Sequence, residues 1–204
     1  MFDPRLNSIL RPVLKQVAQL LVKAGVSANQ ITVVGFLIGM LALPLLAFEA
    51  YLWALAMIAI NRIADGLDGA VARLTHTTDA GGYLDITFDF IFYSSVVFGF
   101  LLANPEQNAI AAGLLLVTFM GTGSTFLAFS TLAVKHGIDN PEYPNKSLHY
   151  MGGITEGFET ILAFVLFCLW PQYFVALALV FSALCWITAC SRLWAGYQTL
   201  KHRA

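Results

Sequence analysis

The stretch Asp65-Gly66-Leu67-Asp68-Gly69-Ala70-Val71-Ala72-Arg73, followed after seven residues by Gly81-Gly82-Tyr83-Leu84-Asp85-Ile86-Thr87-Phe88-Asp89, sets four of the chain's acids within a short interval. Apolar runs flank it on both sides. Acids in such a setting are costly in a bilayer unless something cationic holds them. Asp65 and Asp68 stand at i, i+3, and Asp85 and Asp89 at i, i+4, so each pair occupies one face of a helix. Two such faces opposed make an all-oxygen cage suited to hard divalent cations such as Mg²⁺. The pattern predicts a metal-dependent enzyme working at a membrane surface.

Composition points the same way. Hydrophobic residues make up 58% of the 204 positions and charged residues 11%, which excludes an ordinary soluble domain. The expected fold class is an all-α membrane protein with six transmembrane helices and an N-terminal interfacial amphipathic helix, residues 1–204 forming a single domain. The spans read roughly as 30–49, 51–73, 80–103, 109–135, 153–170 and 172–198. Lys and Arg are absent around Glu49, Asn104-Pro105-Glu106 and Pro171-Gln172. They cluster at the alternate ends: Arg5, Arg11, Lys15 and Lys23, then Arg73, then Lys135 and Lys146, then Lys201 and Arg203. Both termini and the 74–80 and 136–152 loops are therefore expected in the cytoplasm. No signal peptide is expected from the polar opening Asp3-Pro4-Arg5. Within 1–25, Leu6, Ile9, Leu10, Val13, Leu14, Val17, Leu20 and Leu21 share one face, opposite Asn7, Arg11, Lys15 and Gln19. This places the helix in the interface plane, or alternatively against the bundle.

The second span runs inward and the third back out. At about 1.5 Å per residue, Asp65 lies ~12 Å from Arg73 and Asp89 ~12 Å from Gly81. Antiparallel pairing then sets 65 opposite 89 and 69 opposite 85, and the four carboxylates meet just inside the cytoplasmic face. Asp65, Asp68, Gly69 and Arg73 fall within an arc of about 140°. Gly69 and Ala72 keep that face shallow, and Arg73 puts a cation at its rim, suited to phosphate. Arg62 shares the face and could neutralise part of the cluster, so a buried ionic network or an ion pathway is the alternative. Four acids against one or two arginines leave a negative surplus that favours metal.

These residues resemble the signature of the CDP-alcohol phosphatidyltransferases, D-x2-D-G-x2-A-R-x8-G-x3-D-x3-D. Every motif residue is present, with seven residues instead of eight between Arg73 and Gly81. The resemblance implies transfer of a phosphatidyl group from CDP-diacylglycerol to a polar alcohol with release of CMP. It implies that Asp65, Asp68, Asp85 and Asp89 hold two divalent ions, Mg²⁺ or Mn²⁺, and that Asp89 also deprotonates the acceptor. Gly69 and Arg73 would contact the CDP moiety, making 65–89 the catalytic hairpin. Glycerol 3-phosphate is the default acceptor, with inositol phosphate, serine or another alcohol open. A homodimer in the cytoplasmic membrane, its active site facing the cytoplasm, follows by analogy. Membrane lipids are expected partners and nucleic acid is not.

Other residues carry weaker signals. Asn29 and Thr32, in Ser27-Ala28-Asn29-Gln30-Ile31-Thr32, match a segment that lies near the nucleotide in related enzymes, although Ala28 replaces a proline. Ser27 or Asn29 could equally cap the first span. Arg192, within the last span but near its cytoplasmic end, either meets an acceptor anion or snorkels. Glu156 and Glu159, at i, i+3, could shape or charge the acceptor pocket; for Glu156 the alternative is a favourable place at a helix N-terminus, while Glu159 lies deeper. Lys135, His136, Lys146 and His149 could present cations to a phosphorylated acceptor or simply follow the positive-inside bias. Gly35-x-x-x-Gly39 and Gly121, Gly123 and Ser124 permit close helix approach. Cys168, Cys185 and Cys190 read as packing residues, and Trp170, Trp186 and Trp194 as span-end or lipid-facing aromatics. The rival readings are a catalytically silent lipid- or metal-binding relative and a divalent-cation transporter.

Overall fold

The computed structural model describes residues 3–138 and 152–201, with side chains from residue 12 onward. Lys146 and His149 of the loop singled out above, and Arg203, lie outside the described residues. All regular elements described are helices. They are α1 (Asp3–Lys23), α2 (Ala28–Met40), α3 (Ala42–Ala47), α4 (Tyr51–Leu74), α5 (Asp79–Ala103), α6 (Pro105–Lys135), α7 (Gly157–Leu169) and α8 (Phe174–Lys201). A 3₁₀ turn, Pro171–Tyr173, leads into α8.

Helix ends follow local chemistry. Ser27 caps α2: its hydroxyl accepts the Gln30 N–H at 3.3 Å while Gln30 Oε1 accepts the Ser27 N–H at 2.9 Å, a reciprocal capping box. The first span is broken at Leu41 into α2 and α3. Pro44 explains the break, because it has no N–H to offer the Met40 carbonyl and its ring crowds that oxygen. Asn104 caps α6 through the Gln107 N–H, with Pro105 following it. Asn108 Nδ2 donates to the Phe100 carbonyl at 2.7 Å, satisfying an acceptor left over at the end of α5.

Among the described residues, four stretches are long and apolar enough to cross a membrane: Ala28–Ala47, Asp79–Ala103, Pro105–Lys135 and Pro171–Lys201. α4, with 24 residues, has the length but carries Arg62, Asp65, Asp68 and Arg73. α7 has 13 residues and begins at Gly157 instead of near 153. Its start is set by Glu159, whose Oε2 accepts the Glu156 N–H at 3.0 Å. Glu159 therefore makes a helix-end contact, where the sequence pointed to Glu156 for that role.

The core is aromatic. Phe92, Phe100, Phe164, Phe167 and Phe174 are fully buried. Phe100 stacks on Phe174 with centroids 4.7 Å apart and meets Phe167 edge-on at 5.7 Å. Two glycines fix the approach of α2 to α4. A Cβ on Gly35 would overlap that of Ala64, and one on Gly39 would stand 2.8 Å from Asn61 Nδ2, so α4 can lie this close only if both lack side chains. α2 and α3 each pack against both α4 and α5, while close backbone approach between α4 and α5 is sparse. Their acids therefore meet across a gap bridged by side chains, not along a tight helical hairpin. α1 packs on α4 through Leu14, Ala18, Leu21 and Val22, with Ala70 and Val71 beneath. Val13, Val17 and Leu20 stay exposed. Cys168 and Cys185 are buried thiols and Cys190 an exposed one. Trp170, Trp186 and Trp194 are exposed.

Candidate metal centre and adjoining pocket

The acids sit where α4 and α5 approach their shared turn. α5 is started by Thr78, whose hydroxyl accepts the Gly81 N–H at 3.1 Å. The turn is thereby only Thr75–Thr78, with Asp79 and Ala80 already helical. Asp85 and Asp89 then project toward Asp65 from successive turns. One oxygen from each of Asp65, Asp85 and Asp89 lies within 4.8 Å of the others. Oxygens bound at about 2.0–2.6 Å around one hard cation reach separations of this order. Three carboxylate oxygen donors in a partly buried setting therefore fit a hard divalent cation.

Asp68 lines the same small cavity, with Thr32, Gly35, Phe36, Asn61, Arg62 and Phe88. It is the most enclosed of the four, and Thr32 Oγ1 donates to its Oδ2 at 2.6 Å. Thr32 thus joins the acid cluster directly. Asn29 does not touch the carboxylates. It is exposed, and its Oδ1 sits 3.0 Å from where a Cβ on Gly81 would be, so it lies against the start of α5. Arg73 is exposed and folds back over Gly69, where an added Cβ would stand 3.2 Å from its Nη1.

Below the acids lies a network that motif spacing does not reveal. Arg62 Nη2 donates to Asp89 Oδ1 at 2.7 Å, and Nη1 lies 3.8 Å from Asp65 Oδ2. Tyr93, one turn after Asp89, donates its hydroxyl to Asp89 Oδ2 at 3.2 Å and accepts from Arg62 Nη1 at 3.1 Å. Asn61 accepts from both Arg62 Nε and Nη2. The signal for Tyr93 and Asn61 was polarity inside apolar helices at helical spacing from a charged residue.

A second cavity of about 220 Å³ opens on the other side of Asp89. Thr122, Thr155, Glu156, Thr160 and Arg192 supply its polar wall, and Phe90, Phe119 and Phe126 much of its apolar wall. Arg192 is largely buried, within 3.5 Å of the Thr122 carbonyl and 5.9 Å from the Phe126 ring centroid. Glu156 Oε1 accepts the Gly153 N–H at 3.0 Å. Sequence reasoning singled out Arg192 and Glu156 but not the threonines. Asp89 is the one described residue that lines both this cavity and the acid cavity. A larger apolar groove of about 780 Å³ lies between α5 and α6 and shares Ile86, Phe90, Phe119 and Gly123 with it.

The chain is similar to known proteins in sequence and in fold. Residues 25–194 match the sequence pattern of a family described as CDP-alcohol phosphatidyltransferase. The chain is 57% identical to inner membrane protein YnjF of Escherichia coli, covering 98% of each. It is 27% identical to an archaetidylinositol phosphate synthase of Pyrococcus horikoshii, over 95% of this chain and 98% of that one. Among solved structures, it superposes on Mycobacterium tuberculosis phosphatidylinositol phosphate synthase PgsA1 with CDP-DAG bound. The TM-score is 0.72 at 20% identity, covering 91% of this chain and 94% of that one. The same enzyme in complex with manganese and citrate gives a TM-score of 0.73 at 22% identity, covering 90% and 88%.

Proposed function

The chain belongs to the CDP-alcohol phosphatidyltransferase family, and on that premise we propose that it transfers a phosphatidyl group from CDP-diacylglycerol to a small polar alcohol, releasing CMP. The observation that carries this reading is the position of Asp89 between the acid cavity and the 220 Å³ pocket. A transferase needs a proton acceptor at the boundary between donor and acceptor.

Asp65, Asp68, Asp85 and Asp89 would hold two divalent ions, Mg²⁺ or Mn²⁺. When bound, these supply charge neutralisation of the donor diphosphate and of the leaving phosphate. Gly69 lets the diphosphate approach the α4 backbone, and Arg73 pairs with it from the rim. Thr32 holds Asp68 by the 2.6 Å hydrogen bond. Asn29, beside the start of α5, is placed for the nucleotide. Asp89 takes the hydroxyl proton of the acceptor. The freed oxygen forms a bond to the lipid-bearing phosphorus as the bond from that phosphorus to the CMP oxygen breaks. Tyr93 orients Asp89 for this step through its hydroxyl.

Arg192 is the anion site for the acceptor, and glycerol 3-phosphate is the first acceptor to test. Inositol phosphate comes second, on the strength of the product names carried by the relatives. The topology has six spans, α4 and α7 joining the four long apolar stretches. Both termini and the acid end of α4 face the cytoplasm, and α1 lies at that interface with Val13, Val17 and Leu20 toward lipid. The protein works as a homodimer in the inner membrane.

The test is to supply purified protein with CDP-diacylglycerol, Mn²⁺ and each acceptor, and to identify the lipid product by mass spectrometry. Phosphatidylglycerol phosphate, with Arg192→Gln raising the acceptor KM, supports the reading. A lipid product with none of the acceptors would favour the catalytically silent alternative.

A further inference from the structure

The acid cavity already contains a cation belonging to the chain itself. Arg62 lies on α4 one turn before Asp65, and its guanidinium reaches two members of the three-carboxylate cluster, Asp89 at 2.7 Å and Asp65 at 3.8 Å. The head group is held there by contacts that do not depend on the acids. Nε and Nη2 donate to Asn61 Oδ1 at 2.8 and 2.6 Å, and Nη1 donates to the Tyr93 hydroxyl at 3.1 Å. Asn61 is buried and anchored in turn, its Nδ2 donating to the Gly35 carbonyl at 3.0 Å. The guanidinium carbon lies 5.1 Å from the Phe92 ring centroid and 5.4 Å from that of Tyr93, both within cation–π range. A planar donor fork fixed on several sides is pre-organised for carboxylate and is not a wandering surface arginine.

Such a cation has two opposing effects on a carboxylate cage. It keeps like-charged acids together when no divalent ion is present. It also repels an incoming divalent ion over a few ångströms in a partly desolvated site, where the interaction is weakly screened. We propose that Arg62 is a resident counter-ion that holds Asp89 in the metal-free protein and sets the divalent-cation affinity of the cage below what the four aspartates alone would give. Metal occupancy then becomes linked to the donor. A diphosphate arriving beside the cage offsets the surplus positive charge that Arg62 creates, so the ions bind more tightly when it is present. The proposal rests on the reading of the aspartates as a metal cage.

The experiment is Mn²⁺ binding followed by electron paramagnetic resonance on the purified full-length chain in detergent, for wild type, Arg62→Gln and Arg62→Lys, with and without CDP. Arg62→Gln should bind Mn²⁺ on the order of tenfold more tightly than wild type, and CDP should tighten binding more in wild type than in Arg62→Gln. Arg62→Lys, which keeps the charge, should stay within about threefold of wild type. If Arg62→Gln is unfolded without metal but recovered by Mn²⁺ during extraction, the counter-ion role is supported. If Mn²⁺ does not recover it, Arg62 serves only to hold the fold and the proposal is overturned. Equal affinity in Arg62→Gln and wild type overturns the proposal while leaving the cage intact. Mn²⁺ binding in neither protein removes the cage reading itself.

Discussion

α5 behaves as two different helices joined at Phe92. From Phe92 onward, Phe92, Val96, Val97, Gly99 and Phe100 are buried, and Phe100 is enclosed by Phe167 and Phe174. Before Phe92 not one residue of the helix is fully buried. That earlier half carries Asp85 and Asp89 and borders three cavities. The contrast has a physical cause. Apolar rings close on each other without hydrogen-bond requirements, whereas carboxylates resist desolvation until a cation arrives. The packed half closes on neighbouring helices, and the open half lines the cavities.

Substitutions in the two halves should therefore separate activity from stability. The largest effect belongs to the open half. Asp89→Asn should lower the rate of CMP release by about 10²–10⁴-fold, the range for losing a general base, while the thermal melting of the folded protein persists. A rate within a few-fold of wild type would remove Asp89 as the base. In the packed half, Phe100→Ala should cost about 3–5 kcal/mol of stability, measured by denaturant titration in detergent, with turnover per folded molecule little changed. A comparable loss of specific turnover would mean that the two halves are not separable.

Gly39→Ala tests the contact of α2 with α4. Its Cβ would press on Asn61, so a cost of about 1–3 kcal/mol is expected, and Mn²⁺ affinity should shift because Asn61 holds Arg62. An unchanged melting temperature would show that α2 yields easily. Asn104→Ala, at the cap of α6 on the packed side, should cost only ~1 kcal/mol and leave both turnover and metal affinity alone.

Much of this division was readable before any coordinates. The sequence anticipated α4 as one long helix carrying the first acid pair, although its charges keep it from qualifying as a span by hydropathy. It also anticipated that Asp65, Asp85 and Asp89 would meet. Gly35 and Gly39 announced a close helix contact without naming its partner, because any facing helix with small residues satisfies the same pattern. Tyr93 and Asn61 stayed hidden for a different reason. A single polar residue in an apolar helix does not disclose which neighbour it bonds: Asn61 holds Arg62, and Tyr93 bonds both Arg62 and Asp89. Thr32 was drawn to the site by resemblance, but its bond to Asp68 joins residues 36 positions apart, which no local periodicity encodes. The late start of α7 was likewise obscured, since the sequence pointed to Glu156 as the helix-end acid, whereas Glu159 makes the bond at the helix start.

The central claim is that the opposed aspartates and Asp89 carry out phosphatidyl transfer. Its most direct test is CMP release from CDP-diacylglycerol by the purified chain with Mn²⁺ and glycerol 3-phosphate, beside Asp89→Asn under the same conditions. The account predicts metal- and acceptor-dependent release by wild type and a loss of at least about a hundredfold in the variant. Release that persists without a divalent cation, or that the variant sustains at the wild-type rate, would contradict it.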